Sequence, residues 1–433
     1  MSSSETQELG LKIAYGALMT MAVIPIYAGS FASLTGMKRP ANAPKKKSTS
    51  PLEDSDDEES VSETLSSSDA WMFPIMGSIT LFSLYLIFRY VDKDYINLMI
   101  TGYFGLMGTM AMAKTGLLVA QKTIPTSLLK YIQPYKLTLS TKGKDLFKMK
   151  LTYVHFLSLG LSIGLTVFYS LTKNWIASNA FGLAFSVNAI QLLSLDSFKT
   201  GMILLSGLFL YDIFWVFGTE VMVSVAKNFD APIKVIWPRD IIAYFVDTNV
   251  KTTFAMLGLG DIVIPGIFVA LCLRYDRHIS WKKNPSGNFR STNFSKPYFT
   301  SCLIAYILGL ATTMAVMHFF HAAQPALLYL SPACILSVLI TAAVRGELTE
   351  VFQYTTEEDE DEKTKKSKAK KGDDKVKKAA SASEDISATS KSVKHIVVEE
   401  EQVDQDDEIA PSSPETSPKP SSKSKKKNKN KKK

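Results

Sequence analysis

Long apolar stretches joined by short polar connections fill residues 1–37 and 71–345. A helix rises ~1.5 Å per residue, so about 20 apolar residues cross the hydrocarbon core of a bilayer. Nine runs reach that length: 11–33, 71–88, 95–113, 152–172, 175–195, 200–226, 253–273, 297–320 and 324–344. The pattern predicts an all-α polytopic membrane protein with nine transmembrane helices. Only Lys173 and Asn174 separate the fourth and fifth runs, which predicts a tight helical hairpin. The sixth run is long enough to tilt. The first starts late, lacks a basic n-region and exceeds the length of a signal-peptide core, so it is expected to remain as an uncleaved anchor.

Two stretches break the pattern. Residues 38–70 and 346–433 are almost wholly polar, with blocks such as Glu357 to Glu362, Lys363 to Lys371 and Glu399 to Glu408. Such sequence cannot bury enough apolar surface to offset chain entropy, so both are expected to be disordered, serving solvation, tethering or phosphorylation. The chain then divides into an N-terminal end with the first span (1–37), a loop (38–70), spans two to nine (71–345) and a charged tail (346–433). With 46% hydrophobic residues concentrated in the spans, a soluble globular enzyme is excluded.

Charge decides orientation. The tail holds 20 lysines against 20 acids and adds nothing to the net charge of +8, whose positive excess sits in the short connections. That argues against a nucleic-acid partner and for the bilayer. The loops after spans 1, 3, 5 and 7 carry 20 Lys and Arg, and the opposite side carries 8. The positive-inside rule puts the N-terminus in the lumen or outside and the C-terminus in the cytosol. The sequon Asn293-Phe294-Ser295 then faces the cytosol and should stay unmodified. Cys272, Cys302 and Cys334 imply no disulfide framework, and no Cys/His tetrad has metal-site spacing.

An ionised acid at mid-bilayer costs on the order of 3 kcal/mol, so acids deep within apolar runs mark function. Two lie there clearly: Asp212, near the middle of the sixth run, and Asp261, inside the seventh. One loop joins these runs, so they are expected to pack antiparallel with both acids at similar depth. Two carboxylates close together in a low dielectric share one proton. The ionised partner can then take a proton from water that attacks a peptide carbonyl, while the protonated partner polarises that carbonyl. A transport or structural acid pair is the alternative. Gly258 and Gly260 flank Leu259 just before Asp261. Glycine weakens a helix but lets another backbone approach, which suits a site that must unwind a helical substrate. A packing contact explains a lone Gly-x-Gly equally well.

Tyr211-Asp212, Gly258-Leu259-Gly260-Asp261 and Pro325-Ala326-Leu327, in that order on spans six, seven and nine, resemble the three signatures of the GxGD-type intramembrane aspartyl proteases. That group holds the presenilins and the signal peptide peptidases. The wider stretches Gln324 to Tyr329 and Gly258 to Gly266 resemble the signal peptide peptidase family most. The resemblance covers roughly 70–345 and implies a presenilin-like bundle with Asp212 and Asp261 as the catalytic pair. It further implies that Tyr211 shapes the site, that Gly258, Leu259 and Gly260 contact substrate backbone, and that Gln324, Pro325, Ala326 and Leu327 approach the acids from span nine. Pro325, lacking an N–H, can leave a neighbouring carbonyl free, although a plain helix start would also place it there. No metal or cofactor beyond water is implied. The expected substrates are remnant signal peptides and type II-oriented transmembrane segments in the endoplasmic reticulum. Two readings from other classes remain open: a proton-coupled transporter, and a non-catalytic escort in membrane quality control. A homo-oligomer is compatible with all three.

Two patterns are weighed as decoys. Gly160-Leu161-Ser162-Ile163-Gly164 with His155 matches a serine-protease pattern, but two turns of one helix hold the pair roughly 10 Å apart. His318 and His321 read as interfacial polar residues rather than metal ligands. At the end of the chain, Lys429 and Lys431 resemble a dilysine retrieval signal read by coat proteins; a basic end drawn to anionic headgroups is the alternative.

Overall fold

The computed structural model describes residues 3–37, 63–124, 135–141, 144–219, 221, 225, 231–241, 244, 253–285, 289, 291–320 and 324–356, less the side chains of 3–7, Lys93, 136–141 and 144–150. The chain falls into two units, Met1–Lys366 and Ser367–Lys433. The second unit lies outside the described residues, as do 38–62, His321, Lys429 and Lys431.

Nine long helices run through the described residues: α1 (Ser3–Ser33), α2 (Ser67–Tyr90), α3 (Lys93–Thr123), α4 (Tyr153–Thr172), α5 (Trp175–Leu192), α6 (Phe198–Phe217), α7 (Gly260–Lys283), α8 (Pro297–Phe320) and α9 (Leu327–Arg345). A short α10 (Leu348–Gln353) follows. Seven of them, α1 to α4, α6, α8 and α9, are long and apolar enough to cross a membrane. Their outer faces carry large exposed apolar side chains, among them Leu98, Leu161, Leu171 and Phe319, which a bilayer would cover. The other two, α5 and α7, carry polar and charged residues such as Asn179, Asn188, Arg274 and Asp276. These helices are sheltered by their neighbours. α7 is buried without a break from Pro265 to Arg277. Close approach is made by small residues: a methyl at Gly266 would collide with Ile190 of α5, and one at Gly201 of α6 would collide with Phe268 of α7.

Helix boundaries follow local capping chemistry. Lys173 takes a left-handed conformation (φ 51°) and the Asn174 side chain accepts from the Ile176 N–H at 2.8 Å, so the two-residue connection predicted between α4 and α5 forms. Ser66 and Asp69 build a capping box that starts α2 at Ser67, four residues ahead of the predicted span. Ser197 caps α6 through the Thr200 N–H.

Several predicted boundaries are corrected. The sixth span ends at Phe217, with Gly218 after it, instead of reaching residue 226. The seventh does not begin at 253: residues Phe254–Gly258 form strand β6, paired antiparallel with β5 (Lys234–Pro238), and the helix begins at Gly260. Hydropathy could not show this, because the Val-Ile-Trp partner lies in a connection some twenty residues earlier. Residues 135–151, read as loop, hold a hairpin of β2 (Tyr135–Thr141) and β3 (Lys144–Leu151). The segment assigned to the polar loop contains β1 (Glu63–Leu65), parallel to β4 (Leu193–Leu195). The tail does not start at 346. Val351 and Tyr354 are buried, Thr355 bridges to Ser197, and the Thr356 N–H donates to the Asp196 carbonyl at 2.8 Å.

Candidate active site

Asp212 lies in the last third of α6, five residues before its end at Phe217, with 6% of its surface exposed. Its neighbours are held by a seam between α6 and α2. The Tyr211 ring lies over Gly77, and the Trp215 indole N–H donates to Ser78 at 3.0 Å. From the other side, the Leu327 N–H at the start of α9 donates to Asp212 Oδ2 at 3.3 Å. A helix N-terminus favours an anion, so α9 presents its positive end to this carboxylate.

Asp261 lies in the first turn of α7, at the start of the helix and not well along it as its place in the apolar run suggests. It is partly buried, and its backbone carbonyl accepts from the Tyr306 hydroxyl of α8 at 3.2 Å. Tyr211 beside Asp212, Ile262 beside Asp261, and Leu327 all pack in one core. The structure thus brings both acids, Tyr211 and Leu327 into one region. Pro325 and Ala326 are buried beside it and Gln324 is partly buried. The Pro325 carbonyl accepts from the Leu328 N–H at 3.2 Å, the geometry of a helix start, so this carbonyl is engaged.

The glycine motif occupies the end of strand β6 and the turn into α7. A methyl at Gly258 would stand 3.3 Å from Asp261 Oδ2. Leu259 donates its N–H to the Ile233 carbonyl at 2.9 Å and packs over Gly182 of α5. Among the described residues, a methyl at Gly260 would meet no atom within 4 Å, so that side of the motif is open to them.

The β5–β6 ladder has a defined parity. Leu259 N–H bonds Ile233 O, and Arg239 N–H bonds Thr253 O, each at 2.9 Å. Alternate pairs in an antiparallel ladder bond across it and the others turn outward. The pairs Ile236–Met256 and Lys234–Gly258 therefore point their main-chain groups away from each other. On the β5 edge, the Asn179 side chain fills the vacancy: Nδ2 donates to the Ile236 carbonyl at 2.7 Å and Oδ1 accepts the Ile236 N–H at 2.9 Å. On the β6 edge the described residues add no strand. Asn179 was invisible as a site residue in the sequence, because an Asn in an apolar helix gives no hint of which distant strand it meets.

The decoys resolve separately. Ser162 donates to the Ser158 carbonyl of its own helix at 2.8 Å, and His155 pairs with Thr152 at the start of α4. His318 stands edge-on to Tyr15. All three cysteines are buried thiols.

Seven helices long and apolar enough to cross a bilayer define a multi-pass membrane protein. A family profile described as signal peptide peptidase matches residues 57–358. Human signal peptide peptidase is 44% identical over 350 residues, covering 80% of this chain and 84% of the human protein. A probable intramembrane protease of Schizosaccharomyces pombe is 38% identical over 290 residues, 67% of this chain and 83% of that one. Intramembrane protease 2 of Caenorhabditis elegans is 42% identical over 248 residues, about half of each chain. The chain belongs to the signal peptide peptidase family, and with it to the intramembrane proteases.

Proposed function

We propose that the chain is an aspartyl endopeptidase of the endoplasmic-reticulum membrane, cutting peptide bonds within transmembrane segments with Asp212 and Asp261 as its catalytic pair. One observation carries this reading: the residues flanking both acids share one packed core, and the start of α9 donates an N–H to Asp212. The α9 N-terminus favours the charge on Asp212, so Asp212 is the base that activates water and Asp261 holds the shared proton and polarises the scissile carbonyl. After attack the proton moves to the departing amine, and the pair returns to its starting state.

A peptide in helical form hides its carbonyls, so substrate must be extended at the site. The outward-facing groups of Met256 and Gly258 can receive an extended segment as an added strand, which would carry its backbone toward Asp261. The open side of Gly260 leaves room for that segment. Remnant signal peptides and type II-oriented segments are the expected substrates, in keeping with the name of the human relative. We infer nine spans with a lumenal N-terminus and cytosolic C-terminus. In that topology α5 and α7 also cross the membrane, shielded from lipid by the other helices, and the charge asymmetry of the loops supports it. Coat proteins reading Lys429 and Lys431 would keep the protein in the endoplasmic reticulum, and quality-control factors and a homo-oligomer are further partners of this reading.

The test is cleavage of a type II reporter by purified, reconstituted protein. Asp261→Ala and Asp212→Ala should each reduce it to background while the protein stays monodisperse. Undiminished cleavage by either variant ends the proposal.

A further inference from the structure

We propose that Asn179 is a positioning residue that decides which substrate bond is cut, by locking β5 in register on helix α5 and, through the ladder, fixing β6 and Gly258 beside Asp261. The inference rests on the protease reading above and goes beyond it, since it names what sets the cleavage position.

The carboxamide is the chemistry this place requires. Ile236 turns both an N–H and a C=O out of the ladder, into an interior where unpaired polar groups are costly. Only a side-chain amide offers a donor and an acceptor with the spacing of a peptide group, and Asn179, 5% exposed, meets both at 2.7 and 2.9 Å. It thus acts as a one-residue strand on the outer edge of β5. That edge is closed to any added chain, which leaves the edge of β6, the one leading to Asp261, to receive it.

The same face of α5 seats the rest of the sheet. Trp175, one turn before Asn179, packs edge-on to Trp237 with ring centres 5.4 Å apart. Gly182, one turn after, makes room for Leu259, the central residue of the glycine motif, with 3.3 Å between a would-be methyl and Leu259 Cδ1. Register slips are blocked by this arrangement. A slip of one residue would bring Val235 or Trp237 opposite Asn179, and both turn their main-chain groups inward toward β6. A slip of two in one direction would bring Pro238, which has no N–H to give. With β5 fixed, the pair Lys234–Gly258 fixes Gly258, and hence where a bound strand meets the acids.

The experiment uses full-length protein in proteoliposomes, a signal-peptide-derived substrate and mass spectrometry of the products. Wild type should give one dominant cut. Asn179→Leu, similar in volume but unable to bond, should spread cleavage over neighbouring bonds and lower kcat about five- to tenfold with KM little changed, the effect of losing one to two hydrogen bonds at a positioning group. Asn179→Asp keeps the acceptor and loses the donor, so it should spread cleavage less, and it serves if the Leu variant does not fold. In unaltered protein, the Ile236 amide should exchange with deuterium slowly. An unchanged cleavage pattern in a folded variant, or rapid exchange at Ile236, overturns the inference. Failure of the protease reading looks different: wild type would then give no product, or Asp261→Ala would give the same products as wild type.

Discussion

Gly258 and Gly260 differ in what surrounds them, and so should their substitutions. A methyl at Gly258 comes within 3.3 Å of the Asp261 carboxylate, whereas one at Gly260 meets none of the described residues within 4 Å. Gly258→Ala is expected to lower kcat by displacing the acid. Gly260→Ala should leave the melting temperature unchanged and act only where substrate is present, lowering kcat/KM. Comparing thermal unfolding with cleavage kinetics for the two variants checks this, and a large loss of stability in Gly260→Ala would contradict the open geometry. Asp212 and Asp261 stand out in the sequence because charge inside apolar runs is costly. Their surroundings do not. That the Leu327 N–H reaches Asp212 depends on how α9 packs beside α6, 115 residues away along the chain.

Among the elements, α8 and α9 begin in the same manner, each with a carboxylate from another helix at its first N–H groups. Asp276 of α7, 2% exposed, accepts from the N–H groups of Tyr298 and Phe299 at 3.3 and 2.8 Å. Asp276→Ala removes this cap and should destabilise the protein by about 1–2 kcal/mol, read as a lower midpoint of thermal inactivation in detergent. At the far end of α9, Arg345 grips Glu347 through two bonds of 3.0 Å and the Tyr298 hydroxyl adds a third at 2.8 Å. The Arg345 guanidinium holds the Glu347 carboxyl below its usual range, followed in strength among the lowering contacts by the Tyr298 hydroxyl. A carboxyl held low in the fold contributes stability above the ordinary carboxylate range and loses it as pH falls through its folded value. Thermal stability of Glu347→Gln should therefore match wild type at low pH and fall below it at neutral pH. The strand before Asp261 is the element that hydropathy misassigned. Phe254 to Leu257 are apolar enough for a helix, and only pairing with β5 decides otherwise.

For the molecule as a whole, the boundary of the folded part lies later than composition suggests. Val351 and Tyr354 enter the core, and Tyr354 packs among Phe198, Tyr275 and His278. A chain ended after Thr356 should keep wild-type stability and cleavage, whereas one ended after Gly346 should lose thermal stability, as measured by size-exclusion chromatography after heating. Residues 63–65 and 355–356 both attach at the start of α6, so each polar segment meets the fold beside the helix that carries Asp212. From sequence alone came the membrane-spanning character, the order of the helices and the two costly acids, because hydrophobic length and buried charge are properties of a chain read one residue at a time. The short sheets, the capping of Asp212 by α9, the shelter that lets α5 and α7 carry polar residues and the seat of β5 on Asn179 were decided only by tertiary packing. Each joins segments distant in sequence, and hydrogen bonds between such segments leave no periodic trace in either partner.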